Sequence, residues 1–134
     1  MSRYTNPSGY VKYDNEKELC DELEKHFLPG FFDGQWKPLL DITKEVWLNE
    51  TDRIDYVGLK NNKKTYLEVK NWFVTLKDMR QIYRYKRAIE KGSVMLICGG
   101  IDNTRYKILQ SLKINVIITR DIQEINPEAV VHWM

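Results

Sequence analysis

Apolar positions along the chain change period several times. After Glu16 they fall three, four, seven and eleven places on, at Leu19, Cys20, Leu23 and Phe27, which is one stripe of a helix. Asp14 or Asn15 can cap that helix, and Pro29-Gly30 ends it. Before it lies a polar arm flecked with aromatics, to about Tyr13; after it, FFDGQWKP at 31–38 reads as a loop. Runs of β-branched and aromatic residues then predict strands over 43–48, 54–60 and 63–70. Helical spacing returns after Thr75, where Thr75 and Asp78 have the form of a capping box, and runs to Lys91-Gly92. A strand over 94–98, a helix over about 103–112 and a strand over 115–119 follow, and the tail INPEAVVHWM shows no assignable period. The order predicts an α/β fold: a mixed central sheet flanked by helices, in a single domain over 1–134, with a core over about 14–98 and an α-β extension over about 102–134.

The hairpin DYVGLKNNKKTYLEVK, residues 55–70, fixes its own register. Asparagine tolerates the positive φ of a two-residue turn, so Asn61-Asn62 sets Lys60 opposite Lys63 and Asp55 opposite Glu68, with Lys70 on the same face. Two carboxylates so placed repel by up to about 4 kcal/mol at 4 Å and an effective dielectric near 20, unless a cation sits between them. Mg²⁺ is the natural cation, because it takes one or two carboxylates plus water and phosphate oxygens. The alternative is a solvated charged hairpin with Glu68 paired to a lysine. On the first helix, Glu16 lies within the apolar stripe and is aimed at the sheet, whereas Glu18, Asp21, Glu22 and Glu24 fall elsewhere and can be solvated. Its alternative role is to complement the helix dipole.

Composition changes this picture only modestly. In 134 residues with 43% hydrophobic content there is enough apolar surface for one core. The formal charge of +2 is mild but segregated: residues 14–24 are acidic, and residues 75–91 carry Lys77, Arg80, Arg84, Lys86, Arg87 and Lys91 against Asp78 and Glu90. Lys77, Arg80, Arg84 and Arg87 fall within about 80° of the helical wheel, a stripe suited to phosphates or simply to solvent. Met79, Ile82 and Ile89 take the opposite side, with Gln81 and Tyr85 on the border. Cys20 and Cys98 have no metal-ligand spacing and read as reduced thiols. The beginning of the chain lacks the apolar core of a signal peptide, and no apolar run approaches about 20 residues, so a soluble protein of a reducing, cytoplasmic compartment is expected.

Glu16, then Asp55, then Glu68-Val69-Lys70, with twelve residues between Asp55 and Glu68, resembles the PD-(D/E)XK nuclease superfamily. EKELCDEL at 16–23 is similar to the first helix of its Holliday junction resolvases, and QIYRY at 81–85 to the Q-x-x-x-Y motif of its RecB/NucS-like nucleases. Ile54 stands where the name has proline. The resemblance implies a restriction-endonuclease-like core and a divalent-metal-dependent deoxyribonuclease, with Mg²⁺ or Mn²⁺ as cofactor. It implies Asp55 and Glu68 as metal ligands together with the Val69 carbonyl. Glu16 would complete the site directly or through water, and Lys70 would orient or help deprotonate the attacking water. DNA is the expected partner, contacted through Lys77, Arg80, Gln81, Arg84, Tyr85 and Arg87 and recognised by structure rather than sequence, with a homodimer or partner subunit supplying the rest. The two motifs point to different substrates, in DNA repair or recombination, and leave that choice open. A second class is a non-catalytic nucleic-acid-binding or scaffold subunit of a repair, recombination or defence complex that retains the fold.

Overall fold

Residues 3–5, 11–26, 28 and 38–119 are described by the computed structural model. Among them five strands, β3 (Leu40–Trp47), β4 (Arg53–Lys60), β5 (Lys63–Phe73), β6 (Ser93–Gly100) and β7 (Ile114–Ile118), pair in that order in one sheet. The first three are antiparallel, and β5, β6 and β7 are parallel. Parallel neighbours need crossovers, which are α2 (Leu76–Ala88) and α3 (Asn103–Ser111). Right-handed crossovers place both helices on one face. Ile82, Tyr85 and Ile89 of the α2 segment and Leu109 of α3 accordingly share a core with Val94, Leu96, Cys98 and Ile114. On the opposite face, α1 (Glu16–His26) packs Leu19 and Leu23 against Leu67, Val69, Met95, Ile97 and Ile117. The fold is the α/β arrangement expected, with a mixed sheet between helices.

Local chemistry sets the helix starts. Asn15 caps α1 by accepting the Glu18 N–H at 3.0 Å. Thr75 and Asp78 form a reciprocal capping box on α2: the Thr75 hydroxyl accepts the Asp78 N–H at 3.1 Å and the Asp78 carboxylate accepts the Thr75 N–H at 3.0 Å. Asp102 caps α3 by accepting the Arg105 N–H at 2.8 Å.

Several expectations need correction. The polar arm contains a small hairpin of its own, β1 (Arg3–Thr5) against β2 (Val11–Tyr13). Three-residue strands are too short for a period to register. Asn71 ties this hairpin to the sheet, its Oδ1 accepting the Tyr13 N–H at 2.9 Å and its Nδ2 donating to the Tyr13 carbonyl. β5 runs beyond residue 70 to Phe73, which pairs with Gly100 of β6. α2 stops at Ala88, three residues short of the expected lysine, because Ile89 turns extended while its N–H still bonds the Tyr85 carbonyl. Glu22 is buried rather than solvated. Phe27, the 31–37 stretch and the tail from 120 lie outside the described residues. Among the described residues no helix is long and apolar enough to cross a membrane.

Candidate active site

Asn61 and Asn62 both have positive φ, 53° and 61°, as a type I′ turn requires. Lys60 faces Lys63, and the ladder continues to Tyr56 opposite Leu67. One residue further, side chains take over the pairing. The Glu68 carboxylate accepts the Asp55 N–H at 3.2 Å through Oε1, and the Asp55 carboxylate accepts the Val69 N–H at 2.8 Å through Oδ2. Asp55 and Glu68 therefore lie on the same face, each anchored by the other strand's backbone, and close enough to share a hydrogen bond when Glu68 is protonated. Strand alternation aims Glu68 at α2, because its neighbours Leu67 and Val69 point to the α1 side.

Lys70, two residues on, reaches the same space. Its ammonium lies 3.2 Å from Glu68 Oε2 and 3.7 Å from Asp78 Oδ1 and donates to Gln81 Oε1. Two carboxylates and one carboxamide oxygen thus surround one ammonium. The side chain is only 14% exposed, so it is a fixed charge. Burial works against the charged form of Lys70, yet Glu68, Asp78 and Glu16 outweigh it and hold the ammonium above its ordinary range. For Glu68 the balance is opposite. Burial, and then the negative charge of Asp55, push its carboxyl up to about 8 despite Lys70. Glu16 sits at the N-terminus of α1 within electrostatic reach of this group; partial burial, with Asp55 and Asp78, raises its carboxyl while Lys70 opposes the rise. The like-charge collision read from the hairpin is thus relieved in part by Lys70, and the rest of it shows in the raised carboxyl of Glu68.

Those residues also define what the site can hold. Asp55 and Glu68 are hard oxygen donors on one face, a two-carboxylate set of the kind Mg²⁺ takes when water and phosphate supply its remaining positions. Among the described residues no three His, Cys, Asp or Glu side chains converge on one point, so Glu16 stands outside that pair. The donor chemistry fits a two-carboxylate metal site, and Val69 contributes its N–H to Asp55.

The helix α2 carries Lys77, Arg80, Arg84 and Arg87 on its exposed face, as the spacing predicts. Arg84 is engaged: its Nε bonds Asp52 Oδ1 at 3.2 Å. Arg87 lies over the ring of Tyr83, 5.8 Å from its centre. Gln81 faces inward to Lys70 rather than outward to a ligand. Tyr85 is the clear correction. It is 2% exposed, and its hydroxyl donates to the Arg53 carbonyl at 2.8 Å, so it braces the backbone beside Asp55 and cannot touch DNA.

Two residues escaped the sequence reading. Asp78 was recognised as a cap, but the same carboxyl also faces Lys70, a role visible only when β5 and α2 are packed. Asp52 is buried in the β3–β4 turn, where Asn49 Oδ1 accepts its N–H at 2.8 Å, Asn49 Nδ2 donates to it at 3.1 Å, and Arg84 reaches it from α2. The cluster N-E-T-D at 49–52 was the available signal.

No family model matches the chain, and no curated protein matches it. Solved structures do. A repair endonuclease from Pyrococcus abyssi superposes with a TM-score of 0.61 at 14% identity, over 79% of this chain and 47% of that one. An EndoMS–dsDNA complex gives 0.54 at 21% identity, over 75% and 41%. A protein from Vibrio cholerae gives 0.51 at 12% identity, over 98% and 39%. The chain spans less than half the length of each. At these identities the likeness is one of fold: a mixed five-stranded sheet with flanking helices, of the restriction-endonuclease-like type. The class so defined is an α/β domain with a mixed central sheet, with a repair endonuclease among its structural neighbours.

Proposed function

We propose that this domain is a divalent-metal-dependent deoxyribonuclease of the PD-(D/E)XK type, acting as an endonuclease selective for DNA structure rather than sequence. The observation that carries the reading is the joint placement of Asp55, Glu68 and Lys70 on one face beside the basic helix α2. A bound Mg²⁺ would be held by Asp55 and Glu68 and would polarise the scissile phosphate and activate water. The chain's own groups do the rest. The Val69 N–H fixes the Asp55 carboxylate, and the Asp55 N–H fixes that of Glu68, so neither must reorganise when substrate arrives. Lys70, held protonated by its carboxylate neighbours, offsets negative charge developing on the phosphate rather than accepting a proton. Asp78 and Gln81 orient it. Lys77, Arg80 and Arg87 hold backbone phosphates, with Arg84 divided between that role and Asp52.

A second reading, a non-catalytic DNA-binding or scaffold subunit, draws on one observation: Lys70 already balances Glu68, and no three ligand side chains converge among the described residues. Incubation with linear duplex, single-stranded, flapped and four-way-junction DNA in Mg²⁺, Mn²⁺ or EDTA separates the two. Cleavage of at least one structure in metal, abolished by EDTA and by Asp55→Ala, is the expected result. Binding without cleavage under every condition establishes the scaffold.

A further inference from the structure

Among the described residues, the largest apolar side chain left in solvent stands beside the candidate site. Trp47, the last residue of β3, is 60% exposed. Val46 and Leu48 on either side of it pack against the core that α2 covers, which leaves the indole outside. β4 places Arg53 directly across from Trp47, and the Arg53 guanidinium lies over the indole, 5.4 Å from the ring centre. Asp55 follows two residues along the same strand, about 7 Å on. The ring is therefore within about one to three nucleotides of the candidate carboxylates along a DNA strand. The β3–β4 turn brings a second cation. Asp52, buried next to Arg53 and held by Asn49, bonds Arg84 through Nε at 3.2 Å, which leaves the terminal nitrogens of that guanidinium for a phosphate oxygen.

A strand from a second copy is a poor occupant of this edge. Asp41 and Glu45 have positive φ, 52° and 53°, and the register shifts between Leu40 and Thr43, so β3 lacks the regular edge that strand addition needs. Glu45 faces Arg53 at 3.9 Å, a loose and exposed pair that an incoming phosphate can replace. An exposed indole backed by one guanidinium and flanked by another suits a nucleobase stacked on the ring with its phosphates on the arginines. A base inside a duplex is already stacked and must be extruded at a cost, so the ring selects an unpaired one. We propose that Trp47, with Arg53 and Arg84, is a specificity-determining subsite for an unpaired nucleotide beside the scissile phosphate; this rests on the reading of the domain as one that acts on DNA.

Binding in EDTA tests this, measured by fluorescence anisotropy of the full chain on a DNA single strand and on the fully paired duplex of the same sequence. The wild type should prefer the single strand. Trp47→Ala should weaken that affinity by about tenfold and leave duplex affinity unchanged, and Trp47→Phe should recover most of the loss. With 5-iododeoxyuridine in the strand, near-UV irradiation should cross-link the wild type at Trp47, a readout that a structural indole would not give. Urea unfolding should change little in Trp47→Ala, because the ring is exposed. Unchanged affinity in Trp47→Ala, equal weakening for single strand and duplex, or a cross-link that maps elsewhere overturns the subsite. Cleavage by the wild type in Mg²⁺ is scored separately. Cleavage with unaltered strand binding in Trp47→Ala refutes the subsite and keeps the nuclease; the expected loss of strand binding, with no cleavage under any condition, keeps the subsite and refutes the nuclease. No binding of either DNA overturns both.

Discussion

Glu68→Gln is the substitution whose outcome follows most directly from the geometry. Burial and the Asp55 charge push the Glu68 carboxyl from its ordinary 4.5 up to about 8. The folded chain therefore holds a proton that the unfolded chain has released across that interval. The contribution is fully present below about pH 4.5 and is lost as pH rises through about 8, and the whole rise corresponds to about 5 kcal/mol as an upper bound. Glutamine mimics the protonated acid, because its amide can donate to Asp55 as the acid proton does. Urea unfolding in EDTA should give variant and wild type similar stability near pH 5. Near pH 8 the variant should be more stable by roughly 2–5 kcal/mol, with an unchanged denaturant slope. Added Mg²⁺ should stabilise the wild type at that pH more than the variant. A wild-type stability that is flat between pH 5 and 8, or a variant that retains the wild-type pH slope, would refute the reasoning.

Other expectations concern the elements around the site. Asp52→Ala removes a buried acceptor shared by Arg84 and the Asn49 side chain and should cost about 2 kcal/mol in urea unfolding; no loss would show that the β3–β4 turn holds without it. Combined replacement of Lys77, Arg80 and Arg87 by glutamine should lower the salt dependence of DNA affinity by about two to three units of slope, measured by fluorescence anisotropy, while unfolding is little changed. Tyr85→Phe should destabilise the fold by about 1 kcal/mol through the lost bond to the Arg53 carbonyl and leave DNA affinity intact. A drop in affinity at unchanged stability would restore Tyr85 to the binding surface.

The features that were legible in the sequence are those whose causes are local. Two adjacent asparagines dictate the turn, the turn dictates the register, and the register brings Asp55 to Glu68. Thr75 and Asp78 announce the start of α2, and the spacing of Lys77, Arg80, Arg84 and Arg87 announces its exposed face. What required the folded chain is what depends on packing between elements. Lys70 acquires Asp78 and Gln81 only because the crossover returns α2 over β5. Tyr85 could have been assigned better, because it lies three residues from Ile82 and four from Ile89, on the apolar stripe. The β1–β2 hairpin was too short to show a period, yet through Tyr13 and Asn71 it fixes the strand that carries Glu68 and Lys70. The buried state of Glu22, one residue from Leu23, reflects the width of the α1 contact, which a wheel diagram does not give.

The central claim is that Asp55, Glu68 and Lys70 form a metal-dependent phosphodiester-cleaving centre. Single-turnover cleavage of the preferred DNA structure, comparing wild type with Asp55→Asn in Mg²⁺, tests it most directly, with near-UV circular dichroism confirming that both are folded. The account predicts cleavage by the wild type that EDTA abolishes, and a loss of about a thousandfold or more in the variant, in line with removal of a group that organises the transition state. Equal rates in the two proteins, or wild-type cleavage that persists in EDTA, would contradict it.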